Sequence, residues 1–90
     1  MGDSPVTCVI DRITADDLAA VEPVFAASQT RIVLDLRRVQ EATPEGVARL
    51  ARMVRHAQRR AIRVEIVSVS PGARKALVAA GLHHLVSLAE

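Results

Sequence analysis

Arg49, Arg52, Arg55, Arg59, Arg60 and Arg63 fall within fifteen residues that contain no acid. On a helix, Arg49, Arg52, Arg55 or His56, Arg59 and Arg63 recur at steps of three and four, and so share a face. Guanidinium groups in such a row suit phosphate contacts, those of a nucleotide or a nucleic acid. A solvated helix face explains them as well and asks for less. Single-stranded nucleic acid calls for aromatic side chains beside the charge, and Phe25 is the one aromatic in the chain. A helix-turn-helix fails too, because strands are expected on both sides of the basic helix. Nucleic acid is disfavoured as a partner.

The inventory for catalysis is thin. It would require a nucleophile with a base, a metal cluster, or paired carboxylates with separated pKa values. Cys8 is the single cysteine; in an apolar, β-branched run it reads as buried and inert, and an internal disulfide or cysteine-based zinc site is excluded. His83 and His84 are neighbours, so their rings are expected to point apart, and no third ligand lies nearby in sequence. His56 is expected in solvent. Asp35 ends an apolar run, where a carboxylate either ligates a metal or, more simply, hydrogen-bonds the loop after it. No Gly-x-Gly-x-x-Gly or Walker-type loop follows any strand. The chain reads as a non-enzyme with no cofactor and no metal.

The elements that position these residues can be read from local signals. Val6-Thr7-Cys8-Val9-Ile10 is a short β-branched strand. Thr14 caps a helix with Asp17 in its first turn and Leu18, Val21 and Phe25 at helical spacing. Pro23 lies inside it and lacks the donor for Ala19, which predicts a kink or a late start. Arg31 to Leu36 is the clearest strand, apolar enough for burial on both faces. Thr43-Pro44-Glu45-Gly46 opens the next helix with a hydroxyl at N-cap, proline at N1 and an acid in the first turn. Val47, Leu50, Ala51, Val54, Ala57 and Ala61 form its apolar stripe. Ile62 to Val69 is a strand, Ser70-Pro71 starts a third helix that Gly81 stops, and Leu82 to Leu88 returns as a short helix or edge strand. The alternation implies one α/β domain over residues 1–90. Its small, mainly parallel (mixed) sheet of about four strands would carry helices laid on it by right-handed crossovers.

Composition narrows the class. At 90 residues the chain has room for one domain, and with 50% hydrophobic and 24% charged residues it is not disordered. No segment approaches the ~20 apolar residues of a membrane span, so no membrane insertion is expected. The start lacks a secretion signal, and Val6 fills the Ser/Thr place of the myristoylation pattern, so the cytoplasm is the simplest address. A domain this small is expected to be modestly stable and to draw on a homodimer or another partner. Residues 1–45 carry a net −4 and residues 46–90 a net +6, a polarity that can steer a partner to one face.

From Ile32 onward the residues resemble a known family. Ile32-Val33-Leu34-Asp35-Leu36-Arg37-Arg38-Val39 followed by Thr43-Pro44-Glu45-Gly46-Val47-Ala48-Arg49-Leu50 is similar to the STAS domain, found in sulfate transporters and anti-sigma factor antagonists. In that family an apolar strand ending in Asp-Leu leads through a loop to Asp-Ser-Ser-Gly at a helix start. Ile62 to Val69, Ser70-Pro71 and Lys75-Ala76-Leu77 through Gly81-Leu82 resemble the family's later strand, helix start and ending. The N-terminus looks short for the family, with one strand of the usual first hairpin missing or rudimentary.

The resemblance implies a docking module in regulation of bacterial transcription. In antagonist-type members, an anti-sigma factor that is also a serine kinase phosphorylates the serine before the glycine; the unphosphorylated domain binds that kinase and frees the sigma factor. Here Thr43 takes the aspartate position, Pro44 the first serine and Glu45 the phosphoacceptor. Glutamate carries about −1 against the ~−1.5 to −2 of phosphoserine. It either fixes one signalling state or is simply a capping residue. Thr43 retains a hydroxyl, but the following Pro44 argues against its modification. The implied contact surface runs from Arg37 and Arg38 to Glu45. Gly46 would allow close backbone approach, and Val47, Arg49 and Leu50 would add contacts. The implied partner is an anti-sigma factor with serine-kinase character; the alternative is the ATPase subunit of an ABC lipid transporter, which other small STAS proteins clasp.

Overall fold

The computed structural model describes residues 6–27 and 30–86. Its elements run β1 (Val6–Val9), β2 (Arg12–Ile13), α1 (Ala15–Ala27), β3 (Arg31–Leu36), β4 (Glu41–Ala42), α2 (Pro44–Arg59), β5 (Arg63–Val69), α3 (Pro71–Ala79) and a 3-10 turn over Leu82–His84. Strands β1, β3 and β5 form a parallel sheet in the order β1-β3-β5, while β2 and β4 make a separate parallel pair. The expected α/β layer is present. It is wholly parallel among the described residues, with three principal strands and one two-residue pair. The segment after Gly81 is the 3-10 turn; Leu88 lies outside the described residues.

Register places Val6, Ile32 and Val64 in one row and Cys8, Leu34 and Ile66 in the next, all on one face of the sheet. The order β1-β3-β5 steps in one direction, so two right-handed crossovers put α1 and α2 side by side on that face. Ile32, Leu34 and Leu36 are buried there against Leu18 and Phe25 of α1 and Leu50, Val54 and Ala57 of α2. Each such aliphatic contributes about 1.5–3 kcal/mol. The other face is half-open. Arg31, Val33 and Asp35 are only partly covered, which corrects the expectation that β3 is buried on both sides. Arg31 uses the open face to reach Glu65 with its Nε at 3.0 Å and Nη2 at 2.7 Å.

Local capping chemistry sets where the helices begin. Thr14 Oγ1 accepts from the Asp17 amide at 3.2 Å and donates to the Asp17 carboxylate at 3.0 Å. Thr43 and Ser70 accept from the Gly46 and Ala73 amides at 3.0 and 3.2 Å. Helix α1 starts at Ala15 and continues through Pro23, so there is no late start. Ala19 and Pro23 are both exposed, which lets water replace the donor that proline lacks. The far end of α1 receives the Arg60 guanidinium, 3.3 Å from both the Phe25 and Ala26 carbonyls. Gly81 has φ +79° at the C′ position of α3, as its sequence position predicts. Ala61 does the same for α2 at φ +62°, with the Ile62 amide returning to the Ala57 carbonyl at 3.0 Å. Its place in the apolar stripe therefore ends with the helix. Among the described residues, no helix is long and apolar enough to cross a membrane.

Candidate functional site

All three principal strands point their carboxyl ends the same way, and α1, α2 and α3 each begin at that edge. In open parallel sheets this is the edge where ligands and partners gather, because loops and helix N-termini converge on it. The loop after β3 is tied down at several points. Asp35 Oδ1 accepts from the Arg37 amide at 3.1 Å and from Arg37 Nε at 3.2 Å, and its other oxygen lies 3.2 Å from Arg37 Nη2. The backbone amide, then the guanidinium, hold the Asp35 carboxyl below its ordinary pKa, and the Arg38 charge adds to them. Asp35 therefore hydrogen-bonds the loop that follows it. Val39 is buried, and its carbonyl accepts from Ser70 Oγ at 2.6 Å. Ser70 thus caps α3 and pins the loop at once, a second role that no local pattern announces.

At the entrance of α2, Thr43 is held twice. Its amide donates to the Ile13 carbonyl at 2.9 Å, while its hydroxyl accepts from Gly46. That half-buried hydroxyl serves as the acceptor of the α2 cap. Gly46 is buried where a Cβ would lie 2.1 Å from the Ile13 carbonyl oxygen and 2.6 Å from Thr14 Cα. The close backbone approach at Gly46 is therefore internal, between α2 and the link from β2 to α1. Val47 and Leu50 are 6% and 0% exposed and belong to the core. These three residues are removed from the expected contact surface, Gly46 by its packing on Ile13, and Val47 and Leu50 because the helical period of their apolar stripe turns them inward. Arg49 is half-buried and engaged, with its Nε 2.9 Å from Glu22 Oε2 on α1 and its Nη2 on the same oxygen.

Arg37, Arg38, Pro44 and Glu45 remain exposed at the carboxyl edge. Arg38 lies 3.6 Å from Asp11, and Arg12 lies 2.9 Å from Asp17. Beside them a groove of about 960 Å³ is lined in part by Arg12, Asp17, Arg38, Gln40 and Glu41. Exposed pairs of this kind contribute about 0–1 kcal/mol each; they leave the groove of mixed charge. Glu45 makes no hydrogen bond or ion pair with the described residues. In the first turn of α2 its charge is favoured by the helix dipole by about 0.3–1 kcal/mol. The arrangement presents a fixed carboxylate on a braced entrance.

The other candidates are distributed elsewhere. Cys8 is half-buried in β1, and burial pushes its thiol above the ordinary value, the direction that disfavours the reactive thiolate. His83 and His84 do not point apart: their ring centroids are 4.0 Å apart at a tilt of 39°. Both are exposed, and in the 3-10 turn their rings rotate onto each other. Among the described residues, no three His, Cys, Asp or Glu side chains form a group able to hold a metal.

The arginine row divides. Arg63 lies in β5, beyond the end of α2, and is not part of the helical face. Arg60 turns to the end of α1, and Arg49 meets Glu22. Arg52, Arg55 and Arg59 are exposed and form no ion pair with the described residues. Like charges at these helical spacings cost about 0.2–0.5 kcal/mol per pair.

A family model described as "Mlab, STAS domain" matches residues 6–87. No curated protein and no solved structure gives a significant match.

Proposed function

The chain belongs to the STAS domain family, and on that premise we propose that it acts by docking through the carboxyl edge of its sheet. STAS domains are typically non-catalytic modules that bind other proteins. The docking face consists of Arg37, Arg38, Thr43, Pro44 and Glu45, with Arg49 behind them holding α2 to α1. The observation that carries this reading is Glu45, an exposed and unpaired carboxylate at a braced helix entrance. It stands where antagonist-type relatives present a phosphorylatable serine. The domain then docks in one state on a cytoplasmic anti-sigma factor of serine-kinase character, outside that kinase's control.

The family model that matches carries the name Mlab, and the same resemblance implies a second reading: an accessory subunit that docks the same face on the ATPase of a lipid transporter. Titration against an anti-sigma serine kinase and a transporter ATPase subunit from the same organism separates the two. The expected result is a stable complex with the kinase, no phosphate transfer to residue 45, and binding weakened about tenfold or more by Glu45→Lys, with the melting temperature lowered only by the few degrees that loss of the helix-dipole contribution predicts. Binding to the ATPase alone selects the second reading. Phosphate transfer to Thr43, or a large loss of stability in Glu45→Lys, overturns the docking role assigned to Glu45.

A further inference from the structure

We infer that the groove between α1 and α2 is a second docking surface, and that its occupant is an acidic amphipathic helix of a protein partner. This does not rest on the reading of Glu45. The groove has a volume of about 940 Å³ and is lined by Arg52, Arg55 and Arg59 on one side and Ala19, Pro23 and Ala26 on the other. Its floor includes Phe25, Met53 and Ala57. It therefore combines a row of unneutralised cations with a small apolar bed.

Helix energetics alone do not explain the row. Favourable interaction with the helix dipole is confined to the last turn, which serves Arg59 but not Arg52 or Arg55. The spacing from Arg52 to Arg59 makes the three cations repel one another in the free domain, and an anionic occupant would relieve that repulsion. Their rise is about 10 Å along the helix, the interval over which carboxylates at i, i+3 and i+7 of a facing helix recur.

Three features favour carboxylates on a helix over phosphates. Helices α1 and α2 run parallel, as Gly46 against Ile13 at one end and Arg60 against Phe25 at the other require. Arg59 thus stands at the carbonyl end of α2 and Arg55 one turn before it, away from the amide-rich N-termini that suit phosphate. Phe25 is buried in the groove floor and cannot stack a base, and the chain has no Tyr or Trp. Glu22 also lines the groove and neutralises Arg49 beside it, so that end offers no net positive charge to a dense polyanion.

The probe is a fluorescent synthetic helix of about 20 residues with glutamates at i, i+3 and i+7 beside a Leu/Ala stripe, titrated into the full chain by anisotropy. The expected result is saturable binding that exceeds that of a scrambled peptide of equal composition. It should weaken about tenfold or more in the triple variant Arg52→Glu, Arg55→Glu, Arg59→Glu, and weaken as salt shortens the Debye length from ~10 Å at ~0.1 M to ~3 Å at ~1 M. Lys75→Gln, on α3 and outside both this groove and the docking edge, should leave it unchanged. Amide-shift mapping on the unsubstituted protein gives a second test, with perturbations expected at Ala19, Ala26, Arg52 and Arg59. Equal binding of the scrambled peptide, tighter binding of a single-stranded oligonucleotide or of anionic phospholipid vesicles, or shifts confined to the α2 entrance would each overturn the proposal.

Discussion

The two ends of the α1–α2 pair treat charge in opposite ways. At the entrance, Arg12 meets Asp17, Arg38 meets Asp11 and Arg37 meets Asp35, so these cations each have a carboxylate, and Asp16, Glu41 and Glu45 are left without a cation among the described residues. Toward the exit, Arg52, Arg55 and Arg59 have no carboxylate partner among the described residues, and the unneutralised charge is positive. Helix dipoles favour this sense of polarity at both ends, but they account for only the terminal turns. The entrance is braced by hydrogen bonds and close backbone packing, whereas the exit carries surplus charge on long, solvated side chains. One end is built for a defined shape, the other for an electrostatic match.

The largest expected effect breaks the braced end. Gly46→Ala places a methyl group against backbone atoms of Ile13 and Thr14 that no side-chain rotation can clear. A loss of about 2–4 kcal/mol is expected from urea unfolding; a loss below about 0.5 kcal/mol would show that the α2 entrance is looser than described.

Asp35→Asn tests the loop brace through pH. The folded-state pKa of Asp35 is lowered, so the unfolded chain takes up the proton first as pH falls. The stability this carboxylate contributes is complete above its ordinary value of about 3.9 and disappears as pH falls through the lower folded value. The variant should melt lower at neutral pH and show a flatter acid limb, the two proteins converging in strong acid. A constant gap at every pH would assign the effect to packing instead.

The smallest effects sharpen the contrast, because one type of substitution should change sign between the ends. Arg12→Glu removes the pair with Asp17 and sets like charges together, costing about 0.5 kcal/mol. Arg55→Glu replaces repulsion by attraction toward Arg52 and Arg59 and should stabilise by about 0.5 kcal/mol, raising the melting temperature by about 2–4 °C. Equal signs in the two melting curves would remove the electrostatic distinction.

The sequence by itself determined the features whose partners lie within a few residues. Thr14, Thr43 and Ser70 cap amides three positions away, Gly81 adopts the left-handed conformation that ends α3, and Asp35 binds the amide two residues on. Such bonds depend on local chain geometry, so spacing and residue type are enough to read them, and the β–α alternation with its parallel sheet follows. Only the tertiary structure decided which side chains remained available. Gly46, Val47 and Leu50 looked like contact residues beside Glu45, yet the fold turns them onto Ile13, α1 and the sheet. Arg49 and Arg52 are alike in sequence, and Glu22, twenty-seven positions from Arg49, separates their roles. Ser70 reaches Val39 across thirty-one residues, and the β2–β4 pair joins segments too short to announce themselves. Residues that far apart in the chain meet only when burial of the core brings their elements together, and a linear pattern carries little record of that meeting.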